Sequence, residues 1–278
     1  MPRQDSGKYL EATIYESVEE YLSQLTERNN SFYRQGLVQA FSSEGTVKIL
    51  THLVGDSVLA KKESLDLGTG IRITSMLNGC SKQNIPVVRR QTGGGGIFHD
   101  HVGDISYSII APVSSFSTDI SKSYHAMLVP IISAFEQLGI SAELAGSTIP
   151  ALHTPSCYLR EIHPAHDILV SGKKISGNAQ RRSNDVVIQH GSLTYKYDVD
   201  QFALVFSNFN IKPNTIQNHV TSISEQVNAT REESIDALTN SFLTWSHAKK
   251  GTWTAIELEQ ANKIAQELFS SEDWTKRT

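Results

Sequence analysis

Four glycines in succession, Gly93 to Gly96, stand two residues after the β-branched and basic stretch Val87 to Arg90. Such a run carries no Cβ atoms, so a ligand or a second backbone can come close to its main-chain N–H groups. Whatever the chain folds into, it must present this segment as a loop after a strand. Arg89 and Arg90 stand just upstream, placed to face a phosphate or a carboxylate, and His99 and Asp100 just downstream, placed to orient a polar group. The glycines do not name the ligand. A phosphate-cradling P-loop needs a Gly-Lys-Ser or Gly-Lys-Thr ending and a helix after it, whereas Ile97, Phe98 and His99 follow here; a dinucleotide fingerprint fails on spacing. The alternative without function is a Gly-rich bulge or turn flanked by solvated arginines.

Composition narrows the class of partner. With 278 residues, 39% hydrophobic, 19% charged and a formal net charge of -4, the chain reads as a soluble globule of one large domain or two small ones. The slightly acidic balance offers no global attraction for nucleic acid or an anionic membrane. Apolar runs are too short to span a bilayer and the start MPRQDSGKYLEAT lacks a secretory core, so the expected compartment is the cytoplasm. Two cysteines, Cys80 and Cys157, are too few for a disulfide scaffold or a cysteine-based zinc cluster.

Periodicity supplies a frame. Helical spacing runs from about Ile14 to Ser42, then strands are expected at Thr46 to Thr51, Ser57 to Lys61, Val87 to Arg90 and Ile105 to Ala111. Ile120 to Leu138 carries an apolar stripe of Tyr124, Leu128, Ile131, Ile132 and Phe135, the mark of an amphipathic helix. Asp167 to Val170 and Lys174 onward flank Ser171-Gly172, a two-residue hairpin connection, and Val186 to Tyr195 reads as a further strand. Helices are expected at Asp198 to Ser207, Thr230 to Trp245 and Thr254 to Phe269, the last with Thr254 as N-cap and Glu257 three residues on.

Two further segments carry chemistry. In the hairpin, Lys173 and Lys174 point to opposite faces, and Lys174, followed by Ile175 and Gly177, is the inward candidate. A buried lysine is costly unless it meets a carboxylate, phosphate or developing oxyanion; an exposed charged edge is the bland alternative. Gly177 and Asn178 favour the first reading, because glycine within a strand marks close approach, whereas Arg181 and Arg182 read as surface charges. In TPSCYLREIHPAHD, Thr154 to Asp167, Cys157 has His153, His163 and His166 near in sequence, which allows a nucleophilic thiol or a metal ligand, although the spacing fits no zinc template. Cys80 reads as an inert small hydrophobe.

Taken in order, RRQTGGGGIFHD, a cysteine, GKKISGNAQRR and VVIQHGSLTY resemble the lipoate-protein ligase and octanoyltransferase family, within the wider biotin/lipoate ligase superfamily. The resemblance is strong from Thr46 to Tyr195, and SSEDWTKR resembles the end of bacterial octanoyltransferases. It implies an α+β fold of mixed β-sheets flanked by helices, with an acyl chain in a tunnel beneath the glycine loop. Carried over by position, Arg89, Gly93, Gly94 and Gly95 would line the acyl or acyl-adenylate pocket, His99 would stand in its wall and Lys174 would be the family's lysine. Gly177, Asn178 and His190 would lie near the same pocket, and no metal ligand set is implied. One catalytic domain is expected over residues 1–278, with a core over about 30–210 and a helical extension over about 211–278.

The family has two chemistries. One activates free lipoate with ATP and magnesium; the other moves octanoate from acyl carrier protein through a cysteine thioester and needs no cofactor. Cys157 stands where the cysteine-dependent branch keeps its nucleophile, and the length leaves little room after Tyr195 for a ligase accessory domain. The resemblance therefore implies transfer of an octanoyl or lipoyl group through Cys157 to a lysine of a lipoyl domain, on a glycine-cleavage H-protein or a 2-oxoacid dehydrogenase. The alternatives are an ATP-dependent lipoate-protein ligase and a non-catalytic binder of lipoyl domains. Lys174 is expected to lower the Cys157 thiol pKa. Two departures stand out: Asp104 replaces the amide of the family's HDxGN pattern, and Asp66 to Asn84 is longer than the family leads one to expect.

Overall fold

The structure, a computed structural model, describes residues 12–15, 47–51, 64–67, 80, 85–100, 102–148, 156–159, 166–183, 185–246 and 248–277. Strands come first: β1 (Ala12–Tyr15), β2 (Val47–Thr51), β3 (Ser64–Leu67), β4 (Val87–Arg89), β5 (Ile97–His99) and β6 (Asp104–Pro112). Then follow helix α1 (Ile120–Gln137) and strands β7 (Glu143–Leu144), β8 (Asp167–Val170), β9 (Lys173–Arg182) and β10 (Val186–Thr194). The remainder is α2 (Val199–Val205), α3 (Pro213–His219), α4 (Ile223–Gln226), α5 (Arg231–Trp245), β11 (Lys249–Gly251), α6 (Ala255–Ile264), a π-helical turn at Ala265–Phe269, and α7 (Glu272–Lys276).

The strands form two sheets, an eight-stranded one in the order β11-β1-β2-β6-β10-β9-β8-β7 and a three-stranded one in the order β4-β3-β5. In the larger sheet β1 pairs in parallel with both β2 and β11, and from β2 onward the pairing is antiparallel. The expected α+β architecture of mixed sheets flanked by helices is present. Ile14 and Tyr15, expected to begin a helix, belong instead to β1, where partners on both sides satisfy the backbone and override a weak helical periodicity. The rest of that expected helix, and the strand expected at Ser57 to Lys61, lie outside the described residues, as does most of Asp66 to Asn84.

The central pair β6 and β10 explains where a site can form. Residues 104 to 111 are all buried, so both faces of β6 are covered. One face carries Ile105, Tyr107, Ile109 and Ala111, joined by Val187 and Leu193 of β10, and packs against Met127, Leu128, Ile131 and Phe135 of α1 and Leu238 and Phe242 of α5. Each large side chain so buried contributes roughly 1.5–3 kcal/mol. Across the same two strands the other face carries Asp104, Ser106 and Ser108 opposite Thr194, Ser192 and His190. A buried polar face is costly unless its groups find partners, and it marks the side of the sheet where chemistry belongs.

Local signals account for the flanking elements. Asp119 caps α1 by accepting from the Lys122 N–H at 3.0 Å, and Tyr124, Leu128, Ile131 and Phe135 of the expected stripe are buried. Thr254 and Glu257 form the expected capping box on α6, the Thr254 N–H donating to Glu257 Oε2 at 2.7 Å. Ser171 and Gly172, at φ +50° and +78°, both take the left-handed conformation that a two-residue turn matching the strand twist requires. Among the described residues no helix is long and apolar enough to cross a membrane.

Candidate active site

The β8–β9 hairpin carries an irregularity that shapes the site. Leu169 pairs with Lys174, but Ile168 pairs with Ser176 and Asp167 with Gly177, so Ile175 is an extra residue in β9. Without that bulge Ser176 would stand opposite Asp167; with it, Gly177 does. A Cβ on Gly177 would lie 3.1 Å from Lys174 Cε and 3.4 Å from Nζ, and glycine leaves that space to the lysine. Lys174 is 3% exposed and Asp167 2%, with Lys174 Nζ 2.7 Å from Asp167 Oδ1. Lys173 is half-buried, so Lys174 is the inward member of the pair.

Lys174 also reaches the cysteine. Its Nζ donates to the main-chain carbonyl of Cys157 at 2.9 Å, while the Cys157 N–H donates to Gly96 O at 2.8 Å. A bridge between Gly96 and Ser156 extends that contact. The Cys157 backbone is thus held at its N–H by the glycine loop and at its carbonyl by the lysine. Thr154 and its neighbours before Ser156, with His153 and His163, lie outside the described residues.

The glycine loop is folded around Arg90. Its NH2 group donates to Gly93 O at 2.6 Å and Gly95 O at 2.8 Å, and its Nε donates to Thr92 Oγ1 at 3.0 Å. Gly94, at φ +93°, has a conformation that other residues adopt at a cost, and a Cβ there would stand 3.0 Å from Arg90 NH2. Thr92 Oγ1 shares a 2.5 Å hydrogen bond with His190 Nε2, which ties the loop to the polar face of β10. His99 Nδ1 is bonded to Asp104, which also accepts from Ser192 Oγ. Thr194 Oγ1 donates to the Tyr158 hydroxyl at 3.1 Å, joining the residue after Cys157 to the same face. Beside this network opens a small solvent-connected cleft, lined by Phe98, Asp104, Tyr158, Thr194, Phe202 and Val220 among others.

The structure therefore brings together Cys157, Lys174, Gly177, Gly93, Gly94, Gly95 and His190, with His99 bonded into the adjoining Asp104 network. Two expected residues point elsewhere. Arg89 is fully buried beneath α7: its Nε donates to Thr275 O at 2.9 Å, and Trp274 Nε1 donates back to Arg89 O at 2.8 Å. Asn178 sits on the sheet face away from Gly177, where Tyr107 donates to its Oδ1 at 2.6 Å and its Nδ2 donates to His166 O at 2.8 Å. Arg181 is exposed, as expected, yet donates to Gln91 O at 3.1 Å. Sequence reasoning missed Asp167, whose signal was a carboxylate across a two-residue hairpin from the lysine, and did not choose Arg90 over Arg89.

The thiol corrects one expectation. Burial pushes Cys157 up to about 12, and the opposing pull of Lys174, then Arg90, does not offset it, while Asp167 and Asp104 push in the same direction as burial. The cost of desolvating a thiolate outweighs the attraction of the ammonium, and the Asp167 carboxylate paired with Lys174 works against that attraction. Cys80, 1% exposed in a cluster with Phe98, Tyr158 and Phe206, is pushed up to about 12 by burial alone. Among the described residues no three side chains of the metal-ligating kinds gather.

Several known proteins are similar to this chain in sequence or in fold. The octanoyltransferase LipM of Macrococcus caseolyticus is 25% identical over 282 residues, spanning 93% of this chain and 99% of its own length. That of Bacillus subtilis is 26% identical over 212 residues, spanning 69% and 74%. Among solved structures, a lipoate-protein ligase A bound with ATP matches at TM-score 0.71 and 20% identity over 97% of this chain and 99% of that one. A bi-partite lipoate protein ligase from Thermoplasma acidophilum matches at TM-score 0.70 and 19% identity over 96% and 97%. At such identities these two likenesses speak for the fold. A family model of the lipoyl protein ligase A/B catalytic domain matches residues 72–243, well over half of the sequence, and the chain belongs to that family.

Proposed function

We propose that the protein transfers an octanoyl or lipoyl group from acyl carrier protein to a lysine of a lipoyl domain, through a thioester on Cys157. The observation that carries this reading is the position of Cys157, clamped between the glycine loop and the Lys174 ammonium. The names of the related octanoyltransferases support it.

In the first step Cys157 Sγ attacks the carbonyl carbon of the donor thioester. The carbon–sulfur bond to the carrier breaks, and the Cys157 proton ends on the departing carrier thiol. In the second step a neutral lysine amine of the acceptor attacks the enzyme thioester, an amide forms, and the amine proton returns to the Cys157 sulfur. Both steps pass through an oxyanion, and Lys174 is the cation placed to stabilise it. Since a thioester is already activated, neither step consumes ATP. Arg90 and the glycines it gathers form the wall against which the acyl carbonyl is held, with Gly177 leaving Lys174 its space. The acceptor is a glycine-cleavage H-protein or the acyltransferase subunit of a 2-oxoacid dehydrogenase.

The test is to mix the protein with octanoyl acyl carrier protein and an apo lipoyl domain, without ATP, and to follow the masses of enzyme and acceptor. An octanoyl adduct on the enzyme that is absent in Cys157→Ser supports the reading. Acceptor modification only with free acid, ATP and magnesium, unaffected by Cys157→Ser, would overturn it.

A further inference from the structure

Asp167 opens β8 and, at 2% exposed, is the most buried carboxylate among the described residues. Its Oδ1 lies 2.7 Å from Lys174 Nζ and its Oδ2 3.7 Å from His166 Nδ1. A buried ion pair is weak evidence for stability, because desolvating two charges offsets most of their attraction. This pair has a specific geometry instead. The ammonium stands between two oxygens, the Asp167 carboxylate at 2.7 Å and the Cys157 carbonyl at 2.9 Å, and the glycine of the bulged strand keeps the flank open. With two donors committed, the direction of the remaining N–H is set by tetrahedral geometry at nitrogen.

We propose that Asp167 is a positioning residue for acyl transfer: it pins the Lys174 ammonium to the Cys157 loop, so that the third N–H stands where the thioester oxyanion forms. Asp167 touches no substrate and acts through Lys174 alone. Lysine, a flexible four-carbon stem bearing a point charge, gains more from such pinning than a planar guanidinium would. The inference rests on the reading that Cys157 carries the acyl group.

The full-length chain is tested as Asp167→Asn and Asp167→Glu, with rapid-quench mass measurement of the octanoyl adduct at varied octanoyl acyl carrier protein, and with trace acetic anhydride labelling of Lys174 as a readout independent of activity. Asp167→Asn is expected to lower the maximal rate about 100-fold with half-saturating donor unchanged, since a misplacement near 1 Å has that effect. Labelling of Lys174 rises in the same variant. Asp167→Glu keeps the charge but advances it by one methylene, and a loss of about tenfold is expected from the displacement alone; this variant carries the test if Asp167→Asn does not fold. Either variant transferring at the parental rate, or a loss confined to donor saturation, overturns the inference. Failure of the parent chain itself to form an adduct on Cys157 strikes the functional reading instead.

Discussion

Lys174 meets Cys157 through the backbone: its ammonium donates to the cysteine carbonyl at 2.9 Å while its charge is matched by Asp167. A lysine beside a cysteine is usually read as a device that lowers the thiol pKa. Here the lysine holds the backbone of the half-buried Cys157 in place, while burial pushes the thiol pKa up to about 12.

Alkylation reads that state directly. With a pKa pushed up to about 12, the thiolate fraction at pH 8 is roughly one part in ten thousand. The rate of Cys157 modification by iodoacetamide should rise about tenfold per pH unit from 8 to 10 with no plateau. A plateau near pH 8.5 would show that the cation governs the thiol after all.

Burial of Cys80 links stability to alkaline pH. Its folded pKa lies above the unfolded one, so the unfolded chain releases its proton first. This contribution is constant below about pH 8.5 and is lost as pH rises toward 12. Urea unfolding between pH 8.5 and 10.5 should show a shallower decline in Cys80→Val than in the parent chain. Equal slopes would remove the thiol from the account.

Two glycines on neighbouring strands should separate activity from stability. A Cβ on Gly191 would fall 2.0 Å from Asn178 Oδ1 and 2.7 Å from Tyr107 Cε1, so Gly191→Ala should destabilise by about 1–3 kcal/mol in urea unfolding. At Gly177 the nearest atoms are the flexible end of Lys174, so Gly177→Ala should fold with little loss and lower the maximal transfer rate about tenfold by displacing the ammonium.

The Arg90 clamp calls for a planar, forked donor. Arg90→Lys keeps the charge but cannot serve Gly93 O, Gly95 O and Thr92 Oγ1 together. Hydrogen exchange over residues 91 to 97 should speed up by about tenfold or more, while exchange in α1 remains as in the parent. Unchanged protection of the loop would mean that the glycines hold their form unaided.

At the far side of β4, Trp274 Nε1 donates to the Arg89 main-chain carbonyl while Arg89 Nε donates to Thr275 O, so both side chains fasten α7 to the strand. Trp274→Ala should cost about 2 kcal/mol, and a double-mutant cycle with Arg89→Ala should return a coupling of about 0.5–3 kcal/mol. Additive losses would mean that the two side chains stabilise the chain independently.

What could be read from the sequence was local. The α1 stripe, the Ser171-Gly172 turn and the Thr254 cap each depend on a few adjacent residues, and each appears where its pattern stands. Lys174 and Cys157 stood out because their residue types are rare in such settings. Asp167 did not, because its tie to Lys174 depends on which strand positions face each other, and the extra residue at Ile175 resets that register without a local mark. The same parity hid Asn178, one residue from Gly177 and on the opposite face. Arg89 ends β4 and Arg90 follows it, and only the packing of α7 on β4 shows which of the two is left for the loop.

The strict alternation along β6 and β10 has a consequence for how such a protein can change. Odd positions such as Ile105, Tyr107 and Ile109 pack the core, and their even neighbours Ser106 and Ser108, with His190 and Ser192 opposite, lie on the polar face that carries the candidate site. A lineage, or a library, can therefore explore new acyl groups by varying every second codon of two strands while the packing that makes the molecule fold is inherited intact.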